Sequence, residues 1–442
     1  MSCIRLPSLR QTVDMKEVRN NMFSEKLNNG MRVVGEIMPG YRSVSMGVWI
    51  NAGSVYEQGD EIGAAHFIEH MLFKGTAKHS SSEIAEIMDA VGGNLNAFTG
   101  KECTCFYGRV LERSLDVISD ILADIIGNSL LAPEEIKKEK GVVCEEIAMN
   151  EDTPEDIVLE TAMAGFYEGD PLERPILGSR ESVRSFTHDG LVKYMDRLYK
   201  PDNMVISVAG NFNDKELMKI LNNSFTAIGS ADGNYVEFGI HKPGKRVKFV
   251  KKDIEQTHIC MCLPGFKKDT KESYAQLLFT NAMGGSMSSR LFRRIREESG
   301  LAYSVYAYPT AYGNSGLITL YAGTSAENSL TVMEMMLDEI KTAGREGITK
   351  AELARAKDQI ISSFLMAQES TAARSSSIGR TELLHGRHYS EDEIIGKIEA
   401  VTMDDIEAIL PTICGLDDFS AACAGRCDAV EGDMRRLLLS KR

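Results

Sequence analysis

The chain repeats one pattern twice. Laid side by side around a Gly-, Asp- and Asn-containing stretch near residues 226–244, its halves show the same order of strand and helix signals. The first half opens with a strand signal at residues 31–38 and the alternation Val44, Met46, Val48, Ile50; the second opens with Val247, Phe249 and the run 259–263. A period of two marks a strand that turns one face to a core. A helix follows in each half, then strands at 103–110 in the first and at 303–308 and 317–321 in the second. Next comes a helix with apolar residues every three or four positions, at Leu115, Ile118, Leu122 and Ile125 and again at Leu330, Met333, Leu337 and Ile340. Pro133 sits at the start of the following helix, and Thr349 with Glu352 makes a capping box for its counterpart. Each half closes with a short helix and a strand, as at 204–208. This alternation predicts the α+β class as a layered α/β sandwich. Two homologous domains are expected, each a mainly antiparallel sheet packed with helices, at 23–225 and 245–442. A linker at 226–244 joins them, and residues 1–22 form an N-terminal extension.

One helix breaks the symmetry. The first half carries His66-Phe67-Ile68-Glu69-His70, whereas the corresponding stretch at 274–296 has no such triplet, so only one half can hold a metal there. Positions i and i+4 lie one above the other on a helix, so both imidazoles can reach one cation, and Glu69 falls on the same face. A zinc ion held by neutral imidazoles lowers the pKa of its water toward neutrality, and a neighbouring carboxylate can take the proton as water attacks a carbonyl. The pattern H-x-x-E-H inverts the commoner H-E-x-x-H zinc signature. Catalytic zinc usually has three protein ligands, so a third donor must come from elsewhere. Glu139 and Glu146, seven apart, would stack two turns along one helical face, with Glu145 as the rival donor beside Glu146.

These segments together resemble the M16 family of metallopeptidases, which includes pitrilysin, insulin-degrading enzyme and the mitochondrial processing peptidase. The resemblance covers residues 23–425. It implies Glu146 as the third metal ligand beside His66 and His70, Glu69 as the general base and Glu139 as a supporting glutamate behind the ligands. Downstream, in the run 290–303, Arg296 and Tyr303 match the family's arginine and tyrosine pair. Fixed donors of that kind stabilise the negative oxygen of a tetrahedral intermediate, and arginine also anchors substrate carbonyls. Without the resemblance, the same run reads as an amphipathic helix whose Arg290, Arg293, Arg294 and Arg296 reach water, followed by a strand. Asn96, Ala97 and Phe98, just after the turn Gly92-Gly93 and just before Glu102, resemble the family's substrate-binding edge strand. An extended peptide can add to such an edge through main-chain hydrogen bonds. The run 283–288 is similar to a glycine-rich loop of the family and reads equally as a helix-ending turn.

The resemblance implies a zinc-dependent endopeptidase or oligopeptidase with one Zn2+ per chain, acting on unstructured peptides or precursor segments. It implies a homodimer too, in which Arg296 and Tyr303 of one chain approach the zinc of its partner; a heterodimer with a metal-free sister chain is the alternative. Because some relatives are non-catalytic, the alternative function is a scaffold or peptide-binding subunit of the same fold.

Charge narrows the partners. With 50 basic and 64 acidic residues the formal charge is −14, which argues against nucleic acid or an anionic membrane as the main partner. No run of eighteen apolar residues appears, and the first residues lack a secretory pattern. Arg5 and Arg10 faintly resemble a transit peptide, but Asp14 and Glu17 follow at once. Nine cysteines, an odd number, fit a reducing compartment, with Cys103, Cys105, Cys260 and Cys262 as buried thiols on strands. A bacterial cytoplasm is the expected address, with the mitochondrial matrix as the alternative. His385 and His388 form a pair without a third ligand.

Overall fold

In the computed structural model, which describes residues 21–226, 228–229 and 244–439, the duplicated pattern becomes two sheets wired alike. The expected extension at 1–22 and linker at 226–244 fall largely outside the described residues. The first sheet takes β1 (Met22–Lys26), β2 (Arg32–Ile37), β3 (Ser43–Ile50), β4 (Asn94–Thr99), β5 (Thr104–Leu111) and β6 (Met204–Gly210), in the order β1-β2-β6-β3-β5-β4. The second takes β7 (Lys245–Lys251), β8 (Gln256–Gly265), β9 (Ala302–Ala311), β10 (Gly316–Ser325) and β11 (Phe419–Gly425), in the order β7-β11-β8-β10-β9. Apart from β1 the two orders correspond strand for strand. In each, one parallel pair, β2 with β6 and β7 with β11, interrupts an otherwise antiparallel ladder. Cys103 lies just ahead of β5, in a turn closed by the Gly100 N–H donating to the Cys103 carbonyl at 2.8 Å.

The apolar periodicities do what their spacing requires. Leu115, Ile118, Leu122 and Ile125 are buried on the helix Leu115–Gly127 against the first sheet. Met333, Leu337 and Ile340 do the same on Ser329–Glu346 in the second half, with Leu330 half-buried at its start. The capping box at Thr349 and Glu352 forms as expected, as does the helix start at Pro133.

Packing crosses the boundary drawn from the sequence at 226–244. The helix Pro154–Phe166, from the first half, lies on β11, β8 and β7 of the second sheet, and Thr371–His385, from the second half, lies on β3, β6 and β2 of the first. Each sheet has two faces to cover, so each half lends the other a helix. Both loans rest on a glycine: a Cβ at Gly165 would collide with the Ser420 hydroxyl, and one at Gly379 with Trp49 and the Ser207 hydroxyl. The lent helix is then locked by polar contacts, Ser375 to Ser207 at 3.0 Å and Ser45 to Thr371 at 2.9 Å, all away from water. This wiring leaves β4 and β9 as the outer strands on one side of their sheets.

Candidate active site

The helix Ala64–Leu72 stands on the first sheet through Phe67, Ile68, Met71 and Leu72, each at most 1% exposed. Burying each such side chain is worth roughly 1.5–3 kcal/mol, which fixes the helix rotation and turns His66, Glu69 and His70 to one side. Against that side runs the helix Pro133–Asp152, anchored by Ile136, Val143 and Ile147 and carrying Glu139 and Glu146 two turns apart. His66 Nε2 lies 3.6 Å and His70 Nε2 3.5 Å from one Glu146 oxygen, and the three ligand atoms all fall within 4.8 Å of one another. A tetrahedral zinc with bonds of about 2.0–2.2 Å sets its ligand atoms roughly 3.4 Å apart, so this donor set fits that ion. Glu145, the rival donor, is exposed and outside the group.

Glu139 is buried at 2% exposure and accepts from His70 Nδ1 at 2.8 Å, while its other oxygen takes Lys74 at 2.7 Å. That hydrogen bond keeps the proton on Nδ1 and leaves the Nε2 lone pair facing Glu146. Electrostatics separates the two rings. Burial and the neighbouring His70 push His66 down to about 4. For His70 burial opposes the charge, yet the Glu139 hydrogen bond and the charges of Glu146, Glu139 and Glu69 together hold it above the ordinary value. The His66 Nδ1 is buried with no hydrogen-bond partner among the described residues.

Glu69 accepts a hydrogen bond from the Thr99 hydroxyl at the end of β4. Burial raises its pKa above the ordinary carboxylate value, against the pull of Thr99 and His70 and with the help of Glu146. A base lifted toward the working pH is better matched to taking and returning a proton.

Asn96, Ala97 and Phe98 lie on β4, which among the described residues pairs with β5 alone and leaves its other edge open. Ala97 and Thr99 face the metal helix; Asn96 and Phe98 face the other way, Phe98 packing on Trp49 and Tyr107. The Asn96 side chain accepts the Ala97 N–H at 2.8 Å.

The expected arginine helix is instead a π-helical segment, Phe292–Glu298, a form that recurs at functional sites. It separates Arg296 from its neighbours. Arg290 is held by Glu352, Arg293 by Glu298 and Arg294 by Asp338 and Glu339, whereas Arg296 lies over the rings of Phe292 and Tyr303, at 4.8 and 4.6 Å. Tyr303 is 76% exposed. Among the described residues no hydrogen bond, ion pair or ring contact joins Arg296 or Tyr303 to the metal group of the same chain. The run 283–288 ends the helix Lys271–Gly284 as a turn, with Met287 exposed.

Sequence reasoning overlooked two supporting residues, Lys74 and Thr99. Lys74 lies two residues past the end of the helix at Leu72, in the bend that follows the Phe73 cap, so the helical spacing from His70 does not reach it. Nothing local announces Thr99, which meets Glu69 only because β4 passes beneath the helix.

Residues 32–180 match the pattern described as Insulinase (Peptidase family M16), and 185–360 match the Peptidase M16 inactive domain. A Bacillus subtilis protein described as an uncharacterized zinc protease, YmxG, is 42% identical over 384 residues, spanning 86% of this chain and 93% of its own length. The chain belongs to the M16 peptidase family. A Streptomyces coelicolor relative, also described as an uncharacterized zinc protease, is 35% identical, covering 88% of this chain and 86% of its own. Two solved structures share the fold. A peptidase M16 inactive domain from Pseudomonas fluorescens superposes with a TM-score of 0.85 at 18% identity, covering 92% of this chain and 98% of its own. A protease from Helicobacter pylori does so with 0.83 at 19% identity, covering 91% and 99%. The inactive-domain pattern falls outside the stretch that bears the metal group.

Proposed function

We propose that this M16 protein is a zinc-dependent endopeptidase or oligopeptidase that hydrolyses unstructured peptides or precursor segments. The observation that carries the reading is the convergence of His66, His70 and Glu146 from two helices, with Glu69 beside them. Zinc bound there supplies Lewis acidity at the scissile carbonyl. Glu69 accepts the proton from water at its carboxylate and returns it to the leaving amine, held in place by Thr99. Glu139, with Lys74, keeps His70 in the tautomer that leaves Nε2 free. The open edge of β4 at Asn96, Ala97 and Phe98 receives an extended peptide, which selects unfolded chains over folded ones.

Arg296 and Tyr303 are the proposed donors to substrate carbonyls and the developing oxyanion. As the family resemblance implies, they would act on the zinc of a second copy in a homodimer with one zinc per chain, a heterodimer with a metal-free sister chain being the alternative; among the described residues nothing joins them to the metal group of their own chain. A bacterial cytoplasmic address belongs to the same proposal. No helix among the described residues is long and apolar enough to cross a membrane. The rival reading, a non-catalytic scaffold or peptide-binding subunit, draws on the inactive-domain match, but that match covers 185–360 and leaves the metal group untouched.

The test is Glu69→Gln in zinc-loaded protein, incubated with an arginine-containing unfolded peptide and read by mass. Turnover is expected to fall by roughly 10²–10⁴ while zinc content stays at the wild-type level. Cleavage by the variant at the wild-type rate would refute the assigned base, and an intact peptide with the wild-type protein would refute the peptidase reading.

A further inference from the structure

The helix that bears His66 begins at Gly63, in the left-handed region at φ 91, and no side chain at that capping position accepts its free N–H groups. The acceptor comes from upstream instead. Glu57 Oε2 accepts the Gly63 N–H at 2.9 Å and Oε1 accepts the Ala65 N–H at 3.0 Å, so both oxygens of a 1% exposed carboxyl serve the residues just ahead of His66. Burial pushes this carboxyl up to about 8, against the two N–H donors and Arg174, which pull it down. A buried acid is a cost in stability that a simple loop could avoid.

The other end of the same segment grips β4. The Ser54 and Val55 N–H groups donate to the Gly100 and Lys101 carbonyls, at 3.3 and 3.0 Å, in the turn that follows β4. Arg174 donates to the Glu57 carbonyl, and Lys101 in turn donates to the Arg174 carbonyl. Gly63 is also pinned from outside, because a Cβ there would sit 2.8 Å from the Gly178 Cα. Residues 54–57 are therefore a strut with the open strand at one end and the start of the metal helix at the other.

We infer that Glu57 is a positioning residue: by bridging the Gly63 and Ala65 N–H groups it fixes where His66, Glu69 and His70 stand relative to β4. It touches neither substrate nor metal and acts through the helix. The metal-binding arm of this inference stands on the donor geometry, and only its kinetic arm rests on the peptidase reading.

The experiment uses the full chain with Glu57→Ala, Glu57→Gln and, as a destabilising control that touches no metal ligand, Gly379→Ala. It measures zinc affinity by chelator competition, the thermal midpoint of the zinc-free protein, and kcat and KM on an unfolded peptide. Glu57→Ala is expected to weaken zinc binding by roughly 10–100-fold, the range for groups that orient metal ligands. Glu57→Gln should fall between, since one amide oxygen replaces two acceptors. Peptide turnover should lose kcat with KM held within about twofold, as for a change confined to the chemical step. Gly379→Ala should lower the midpoint and leave zinc affinity alone. A folded Glu57→Ala that binds zinc as the wild type does, or a loss of affinity matched by Gly379→Ala, would overturn the inference. Should Glu57→Ala fail to fold, Glu57→Gln decides it, and wild-type affinity in that variant overturns the inference equally. A wild type that binds zinc but cuts no peptide removes the peptidase reading and leaves the zinc comparison standing.

Discussion

The two sheets share one wiring, yet the helices above them are joined by opposite chemistries. In the second half, the helices Lys271–Gly284 and Lys350–Ala367 meet within one apolar cluster through Leu278, Phe279, Met283, Leu353 and Ala356. The charges nearby neutralise one another: Arg290 takes both oxygens of Glu352, at 2.7 and 2.8 Å, and Arg294 takes Asp338 and Glu339. In the first half the corresponding contact is made by His66, His70, Glu139 and Glu146. Two rings 4.6 Å apart and a carboxylate are left facing one another, with Lys74 on Glu139 as the one fixed cation at the rear among the described residues. One copy of the duplicated scaffold is thus closed by apolar packing and paired charge, and the other brings together the donor set of His66, His70 and Glu146.

Four changes test that contrast. The largest effect is expected for His70→Ala or Glu146→Gln, which remove a ligand: zinc content after dialysis should drop from near one per chain to near none, because two donors do not hold zinc as three do. Glu139→Gln should cost roughly 10–100-fold in zinc affinity without removing a ligand, measured by chelator competition. Acidification should act through the same pair. Metal binding needs neutral rings, and His70 is held above the usual value while His66 sits near 4, so zinc release on lowering the pH should follow His70 and not His66. In the second half, Arg290→Ala should cost about 1–3 kcal/mol of stability, as expected for lost hydrogen bonds to a charged group, with zinc content unchanged.

The smallest expected effect is the pH dependence of that last loss. Glu352 is buried enough to resist ionising, yet Arg290 and the Thr349 cap hold its pKa down at about 2, against an ordinary 4.5. A depressed carboxyl adds stability that is fully present above the unfolded value and fades as pH falls toward the folded one. The gap between wild type and Arg290→Ala should therefore be constant above pH 4.5 and shrink toward pH 2, followed by denaturant melts. A gap that widens on acidification would break the comparison at its second half.

How much of this was legible in the chain follows from how local each signal is. The alternation at Val44, Met46, Val48 and Ile50 and the stripe at Leu115, Ile118, Leu122 and Ile125 report burial by neighbours in sequence, so strands and helices came through. The spacing of His66 and His70, and that of Glu139 and Glu146, is likewise set by one helix each. The exchange of helices was not legible, since the apolar faces of 154–166 and 371–385 do not say whose sheet they cover. Gly165 and Gly379 mark those contacts, but a glycine within a helix has many readings. Thr99 and Glu57 were invisible for the same reason: each meets the metal helix across a turn of tertiary structure. Arg296 stood out from its neighbouring arginines only through resemblance; the π-helical segment and the ion pairs of the others give the physical distinction.

Everything in the proposed chemistry passes through one ion between two helices. The most direct measurement is anomalous X-ray scattering at the zinc edge from crystals of the zinc-loaded protein. One peak per chain is expected, about 2.0–2.2 Å from His66 Nε2, His70 Nε2 and a Glu146 oxygen. A peak elsewhere, or a Glu146 side chain turned away from both rings with the fold intact, would contradict it.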